Sequence, residues 1–561
     1  MKNIKFRKTL TTLGVLAMLF LSQSCKDVLD ETVISGIGND YINTTKGFQD
    51  ACNAAYSSLR NYYGTQQGLT FTEYGTDIYA TGADGGYKGF HFYDAQLNPT
   101  VDYIANIWDE MYRGINTCNA VIERAPKVTG ITDAVKKQRI AEIKFLRGHY
   151  YFLLLQHFGG VDLRLTETLA PTKITTRATE ADMYKAILAD LESALPDLEA
   201  KGKSSDYGRA TKPACEHLLA RVYLTKGNSA SKAGDDVSKA ATYASNVINT
   251  AAYGFSLLPD FASVFDENNQ INNEVVFAVQ YTSDPLTNGG GNNLHLFYGM
   301  QYDVQAGMVR DIFYGRPFKR LRPTSYLLNT VFGERVNDSR YKKTFRDTWL
   351  SNNPGTFTNV FDNSKTSLTF KTGDTTIWIP GFEMSLAERA TRKYQVLVPS
   401  RYDEALFPTL TKFFDTKRPD RTYEQGSRDY FVFRLADTYL LLAEAQLLLG
   451  KRPEALAAIN KVRQRAAWPG KEAAMLITDA QLSMDFIMEE RARELVGEQM
   501  RWLDLKRWGK LVERVKLYNP QAAANVKDIH NYRPIPQTQI DRTEGGGTAF
   551  SQNPEIGRAH V

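Results

Sequence analysis

Two stretches of the 561-residue chain concentrate aromatic side chains in sequence that has no helical period. Between Phe71 and Tyr93 seven of 23 residues are aromatic, against 12% for the whole chain, and Gly and Thr surround them. Between His295 and Tyr326 seven of 32 are aromatic, interspersed with Arg310, Arg316, Arg320 and Arg322. Rings in polar loops either anchor those loops from inside or stand exposed as a platform, and an exposed aromatic patch marks an interaction site. A sugar ring suits such a platform. Its C–H face packs on an aromatic ring while its hydroxyls need carboxylate, amide and guanidinium partners. Asp77, Asp84, Asn98, Asp303 and Arg316 are near in sequence to supply them. This reading assigns ligand contact to Asp77, Tyr79, Tyr87, Phe90, Phe92, Tyr93 and Asn98 from the first stretch and its neighbour, and to Tyr298, Tyr302, Tyr314 and Arg316 from the second. Part of the cluster is expected at the surface and the rest in the core.

Other chemistry has little support. The chain has no Gly-x-x-x-x-Gly-Lys-Ser/Thr loop, no Gly-x-Gly-x-x-Gly after a strand, no Gly-x-Ser-x-Gly elbow and no His-Glu-x-x-His, so no cofactor, no metal and no catalytic residue is assigned. The histidines are scattered, and only His149 and His157 share an apolar helix. The densest carboxylate cluster, Glu489, Glu490, Glu494 and Glu498, has Arg491, Arg493 and Arg501 among it, with Asp504, Lys506 and Arg507 after it. Each acid has a base one to four residues away, which reads as ion-paired helix surface and inter-helix brackets rather than a glycosidase pair.

The elements that must hold the aromatic loops are mainly helical. Apolar residues recur at helical spacing over 46–63, 102–124, 132–158, 179–198, 211–226 and 235–250, and again over 428–449, 453–467 and 481–515, the last with a break near Gly497. Paired helices with short turns suggest a tetratricopeptide-like stack, in which each pair buries the apolar face of the next. Between the groups, residues 251–426 carry short strand-like runs (Glu274 to Tyr281, Ser367 to Lys371, Thr375 to Ile379), glycine clusters and many Asn, Asp and Thr, so they read as an irregular lobe with small sheets. Loops of this kind display binding residues.

Lys2, Lys5, Arg7 and Lys8 precede a nine-residue apolar run, Leu13 to Leu21, too short to cross a bilayer that needs about 20 residues. This pattern reads as a secretory signal, and Leu21-Ser22-Gln23-Ser24-Cys25 resembles a lipobox, which would make Cys25 the lipidated first residue of the mature chain. The alternative is a soluble secreted protein whose Cys25 is incidental. Cys52, Cys118 and Cys215 then remain, an odd and widely spaced set that reads as buried apolar residues without a disulfide framework.

Several further phrases run through nearly the whole chain. They include Trp108-Asp109-Glu110-Met111-Tyr112-Arg113-Gly114-Ile115-Asn116, Phe145-Leu146-Arg147 running into Tyr150-Tyr151-Phe152, Gly208-Arg209-Ala210-Thr211-Lys212, Phe433-Arg434-Leu435-Ala436-Asp437, Arg501-Trp502-Leu503-Asp504-Leu505-Lys506-Arg507-Trp508-Gly509 and Arg533-Pro534-Ile535-Pro536. In these the chain resembles the SusD/RagB nutrient-binding outer-membrane lipoproteins. The resemblance implies a mainly α fold of four tetratricopeptide-like helix pairs with a loop-rich lobe carrying the ligand surface. It implies lipid anchoring at Cys25 in the outer membrane, exposure at the cell surface, and a SusC-like TonB-dependent transporter as partner, over which the protein acts as a lid. Such proteins bind oligosaccharides or polysaccharides without cleaving them, and a subset handles peptides. A peptide-binding lid, and behind it a surface glycoside hydrolase, are the alternatives. Arg434, Asp437, Glu444 and the Glu490/Arg493 region look like structural brackets of the family.

The expected organisation is a signal peptide over 1–24, an N-terminal helical region over 25–250, and a C-terminal region over 251–554 with its loop-rich lobe at 251–426 and helices at 427–515. Residues 555–561 follow Gln552-Asn553-Pro554 and read as a non-native tail, an in-frame translation of a common sequencing adapter. The formal charge is +5, from 68 Lys and Arg against 63 Asp and Glu. Removing residues 1–24 takes away four bases and no acid, leaving 64 against 63, or +1. That excludes nucleic acid as a partner recognised by bulk charge.

Overall fold

The structure is a computed structural model and describes residues 39–201, 206–544 and 550–553. The expected signal segment, the lipidation residue Cys25 and the tail at 555–561 lie outside the described residues. Seven helices form the first group: α1 Thr45–Ser57, α2 Gln66–Thr72, α3 Asp102–Arg124, α4 Asp133–Phe158, α5 Glu180–Ala194, α6 Lys212–Gly227 and α7 Asp236–Asn249. Their starts are written in the sequence. The hydroxyls of Thr44, Thr65, Thr132, Thr179 and Thr211 each accept a hydrogen bond from a backbone N–H of the first turn, which satisfies a donor that has no partner within the helix.

The second group is α8 Leu435–Leu448, α9 Arg452–Ala466, α10 Met484–Glu494, α11 Arg501–Arg507 and α12 Leu511–Tyr518. The expected break falls where Gly497 and Gln499 take left-handed backbone, with φ of +78° and +54°. One boundary differs from the expectation. Tyr430–Arg434 is a strand that leads into α8, because its aromatic and β-branched run is buried along its whole length and pairs antiparallel with Val275–Val279.

Helix α3 packs on α1 and α4, α4 on α5, and α6 on α7, while α8 packs on α7 and on α9. The pairs α1/α3, α4/α5, α6/α7 and α8/α9 therefore form one continuous stack, and residues 251–426 leave the stack and return to it. That excursion contains the expected short strands as Val275–Val279, Leu368–Phe370 and Thr375–Trp378, the last joined in one small sheet by Thr348–Leu350 and Gln395–Val396, which the sequence did not signal, around a minor core of Met300, Tyr302, Trp349, Ile377, Leu397 and Phe407.

Buried charge fastens the lobe to the stack. Arg434 donates to Glu498 at 2.7 Å and to Glu494 at 2.6 Å, and lies 3.1 Å from Glu274 at the foot of the Val275–Val279 strand. Arg340, fully buried in the lobe, meets Asp338, Glu490 and Glu494 at 2.7 to 2.8 Å. Behind them Arg491 joins Asp437 to Asp504, and Arg507 joins Asp504 to Glu444. The bracket reading of this cluster holds, but its placement on a helix surface is corrected. Glu490, Glu494, Glu498 and Asp504 are at most 5% exposed, because α10 packs against α8 and the lobe, and Arg340 and Arg434 reach the cluster from the lobe and from the strand ahead of α8. Burial raises the cost of each carboxylate, yet Arg340, Arg463 and Arg493 hold Glu490 down to about 2.

Cys52, Cys118 and Cys215 are free and buried, and burial pushes the Cys52 thiol up to about 12. His149 and His157 are core residues whose Nε2 atoms lie 2.7 Å from the hydroxyls of Tyr63 and Tyr62. No helix among the described residues is long and apolar enough to cross a membrane.

Candidate functional site

The two aromatic stretches are joined by a two-stranded ribbon. Strand β1, Tyr79–Thr81, pairs antiparallel with Leu321–Pro323, setting Tyr79 opposite Pro323 and Thr81 opposite Leu321. Beyond β1 the chain continues the pairing, Gly82 N–H donating to Arg320 O at 2.9 Å, and then turns sharply through Gly85 to Tyr87. Gly85 has φ of +102° and lies against the Arg320 guanidinium, so that a Cβ there would stand 2.4 Å from Nη1. Tyr87 itself is held at φ +62°, a costly conformation for an aromatic residue, and the stack it makes accounts for its persistence. Its ring lies on Tyr103 with centroids 3.5 Å apart and planes 13° apart, and its hydroxyl donates to Asp102 at 3.0 Å. Asp102 and Tyr103 open helix α3, so the stack ties the turn to the rigid helix pair.

Tyr103 and Phe318 line a groove of about 540 Å3, within the range of about 300–1,000 Å3 typical of small-ligand sites. Leu286, Leu296 and Phe297 add apolar surface, and the polar part of the wall includes Arg60 and Asn61 after α1, Gln66 and Gln67 of α2, Asn288 and Asn293 of the lobe, and Glu424. Both rings are half-buried. Two guanidinium groups approach the Phe318 ring, Arg316 at 5.0 Å and Arg320 at 5.2 Å from its centroid. Arg316 donates to Glu424 at 2.5 Å and to Thr422 O at 3.1 Å. The arrangement offers two aromatic faces with carboxylate, amide and guanidinium groups between them, the set a polyhydroxylated ring requires.

Of the residues assigned from sequence, Tyr87 and Arg316 flank this groove. Most of the others are corrected to structural roles. Asp77 is fully buried, and its carboxylate receives Arg501 at 2.6 and 2.7 Å and Arg514 at 3.0 Å. Burial pushes that carboxyl up, but the two guanidinium groups outweigh it and hold it below its ordinary value. Tyr79 packs on Tyr298 at 5.3 Å, and Tyr298 donates to Gly497 O at 3.0 Å; both are at most 2% exposed. Phe90 lies against Phe71 and beneath Arg533, and Tyr93 donates to Gly75 O at 2.6 Å. Tyr302 stacks on Trp349 at 4.6 Å in the lobe core, where Tyr314 donates to Leu350 O. Asn98 is half-buried and closes a local turn by accepting from Thr100. Phe92 is half-buried against His91. The rings of this cluster thus serve mainly to fix the loops.

Tyr103, Phe318 and Glu424 were missed as site residues. Phe318 stands within the enriched stretch, but Tyr103 begins a helix and Glu424 is about a hundred residues distant, and nothing local distinguishes either. A second cavity of about 520 Å3 lies against α3 and residues 168–172. Its wall includes Trp108, which is only 2% exposed, and Tyr112, whose hydroxyl donates to Asp162 O at 2.7 Å.

The fold, a stack of helix pairs carrying an irregular lobe, is shared with solved SusD-type proteins. A SusD homolog from Bacteroides thetaiotaomicron superposes with a TM-score of 0.71 at 21% identity, over 92% of this chain and 98% of that one. A laminarin binding SusD-like protein does so with a TM-score of 0.68 at 23% identity, over 91% and 99%. The chain belongs to the SusD family: the family model matches residues 273–555, and a second, described as starch-binding associating with outer membrane, matches residues 39–224. Among curated proteins, SusD-like protein P25 of Formosa agariphila is 24% identical over 93% of this chain and 95% of its own length. The starch-binding protein SusD of B. thetaiotaomicron is 25% identical over 76% and 74%.

Proposed function

We propose that this protein is a glycan-binding lipoprotein of the outer membrane, which captures oligosaccharide in the Tyr103–Phe318 groove and passes it to a SusC-like TonB-dependent transporter. The observation that carries the reading is the groove itself, two half-exposed rings held by the β1 ribbon and α3 with polar side chains between them. Relatives add support: one similar structure is a surface glycan-binding protein in complex with laminarihexaose, and others are named for laminarin or starch. Membrane attachment rests on Cys25 and the lipobox before it, and the transporter on family membership.

Binding proceeds without cleavage in this reading. A glycosidase sets two carboxyl groups about 5–9.5 Å apart across the scissile bond. Among the described residues lining the groove the carboxylate is Glu424, which Arg316 engages. Calorimetry against a panel of plant, host and microbial glycans tests the proposal, with peptides in the same panel and product analysis on every glycan that binds. Binding to peptides alone, or release of shorter sugars, overturns it, as does glycan binding that is unaffected in Tyr103→Ala and Phe318→Ala.

A further inference from the structure

The charge around the groove is unequal to what ion pairing requires. Arg316 has Glu424, and Lys319 beside it has Asp84 at 3.0 Å. Arg320 has no such partner: among the described residues no carboxylate lies within 4.0 Å of its guanidinium, and its Nε is buried without a hydrogen bond. It is held in place from both sides, by the Gly85 turn against Nη1 and by the Phe318 ring 5.2 Å beneath. Arg60 on the groove wall is likewise without a carboxylate, and donates to the backbone carbonyls of Gln280 and Thr287 at 2.7 and 2.5 Å. A pre-oriented guanidinium that lacks an anion, set over a ring that lines the groove, matches a carboxylate in a planar two-point contact through Nη1 and Nη2.

We infer that the glycan taken by this groove is acidic, a uronic-acid oligosaccharide whose carboxylate is received by Arg320 while a neighbouring sugar face lies on Phe318 or Tyr103. The inference rests on the function proposed above and specifies its ligand. Phe318 then orients two things at once, the sugar face in the groove and the guanidinium at its rim. The Gly85 turn keeps Arg320 from swinging into solvent, so little side-chain freedom remains to be lost on binding.

The test uses the mature protein and oligomers of galacturonate, of mannuronate and guluronate, and of glucuronate-substituted xylose. Each is offered as the free acid and as its carboxyl-reduced neutral counterpart, by calorimetry at low and moderate salt. At least one acid is expected to bind about 10- to 100-fold more tightly than its reduced form, the span of one charge-assisted contact. That gap should close in Arg320→Gln, shrink but not vanish in Arg320→Lys, which keeps the charge without the planar fork, and narrow with salt in the wild type. The wild-type comparison of acid and reduced forms needs no variant and stands if Arg320→Gln folds poorly. Tight binding of neutral glycans with no preference for any acid overturns the inference and leaves the proposed function intact. Failure of every glycan to bind overturns both. A preference that survives in Arg320→Gln removes the assignment to this residue.

Discussion

Asp77→Ala separates a ligand residue from a structural bracket. Asp77 is buried with both carboxylate oxygens engaged, and its partners Arg501 of α11 and Arg514 of α12 are 4% and 5% exposed at the side chain. Removing the carboxylate leaves Arg501 desolvated without its carboxylate and Arg514 with only the exposed Asp485 at 3.7 Å, a loss of about 3–5 kcal/mol. At about 2.1 cal/mol/K of unfolding entropy per residue, some 500 cooperatively unfolding residues give about 1 kcal/mol/K, so Tm is expected to fall by about 3–5 °C. Because the folded carboxyl titrates below its ordinary value, the difference between wild type and variant should be constant above about pH 5 and close only below about pH 4, as acid protonates the native pair. Scanning calorimetry across pH reads this, and isothermal titration of any bound glycan should show affinity within about twofold of the wild type. An unchanged Tm together with a loss of affinity beyond about tenfold would refute the bracket and return Asp77 to the ligand site.

Four other outcomes are expected. Tyr103→Ala and Phe318→Ala should each weaken glycan binding by about three- to tenfold, the worth of one aromatic contact, and leave Tm within about 1 °C in a calorimetric scan. Glu73 is fully buried, and burial pushes its carboxyl up to about 8. The unfolded chain therefore releases this proton first, wild-type stability declines from about pH 4.5 to 8, and the Tm advantage of Glu73→Gln should grow across that window and level off above it. Glu490→Ala strips Arg340, Arg463 and Arg493 of a shared partner at once and should abolish soluble expression, whereas Arg463→Met, at the rim of the same network, should lower Tm and still fold. A mass spectrum of the membrane-extracted protein should begin at Cys25 and carry acyl chains; an intact N-terminus ahead of Cys25 removes the anchor from the proposal.

Much of the fold is local in origin and was therefore legible. Thr44, Thr132, Thr179 and Thr211 are caps whose effect is exerted within three residues, and the apolar period of α3 to α6 continues until a nearby Gly or Pro ends it. Where tertiary pairing outweighed local preference the expectation failed: Tyr430–Arg434 continues the helical period of α8 on paper but is claimed by Val275–Val279 as a strand partner about 150 residues earlier. The charged run 489–507 shows the same limit, since its i to i+4 neighbours suggested surface pairs whereas its principal partners are Arg340, Arg434, Arg465 and Asp437 from other elements.

By itself the sequence determined the class of side chains that recognition would use, because aromatic enrichment in loops near neutral net charge is a property of composition, and it determined the helices that carry them. Which rings face a ligand was decided only by the tertiary structure. Tyr79, Phe90, Tyr93, Tyr298 and Tyr302 sit in the same enriched stretches as Tyr87 and Phe318, yet burying an aromatic ring is favourable wherever the fold supplies a wall, and partners such as Phe71, Trp349 and Phe413 supply walls to the first five. Tyr103 and Glu424 reach the groove because helix α3 and the return of the lobe bring them there. No periodicity or spacing within either segment encodes that meeting; it follows from the packing of the whole chain.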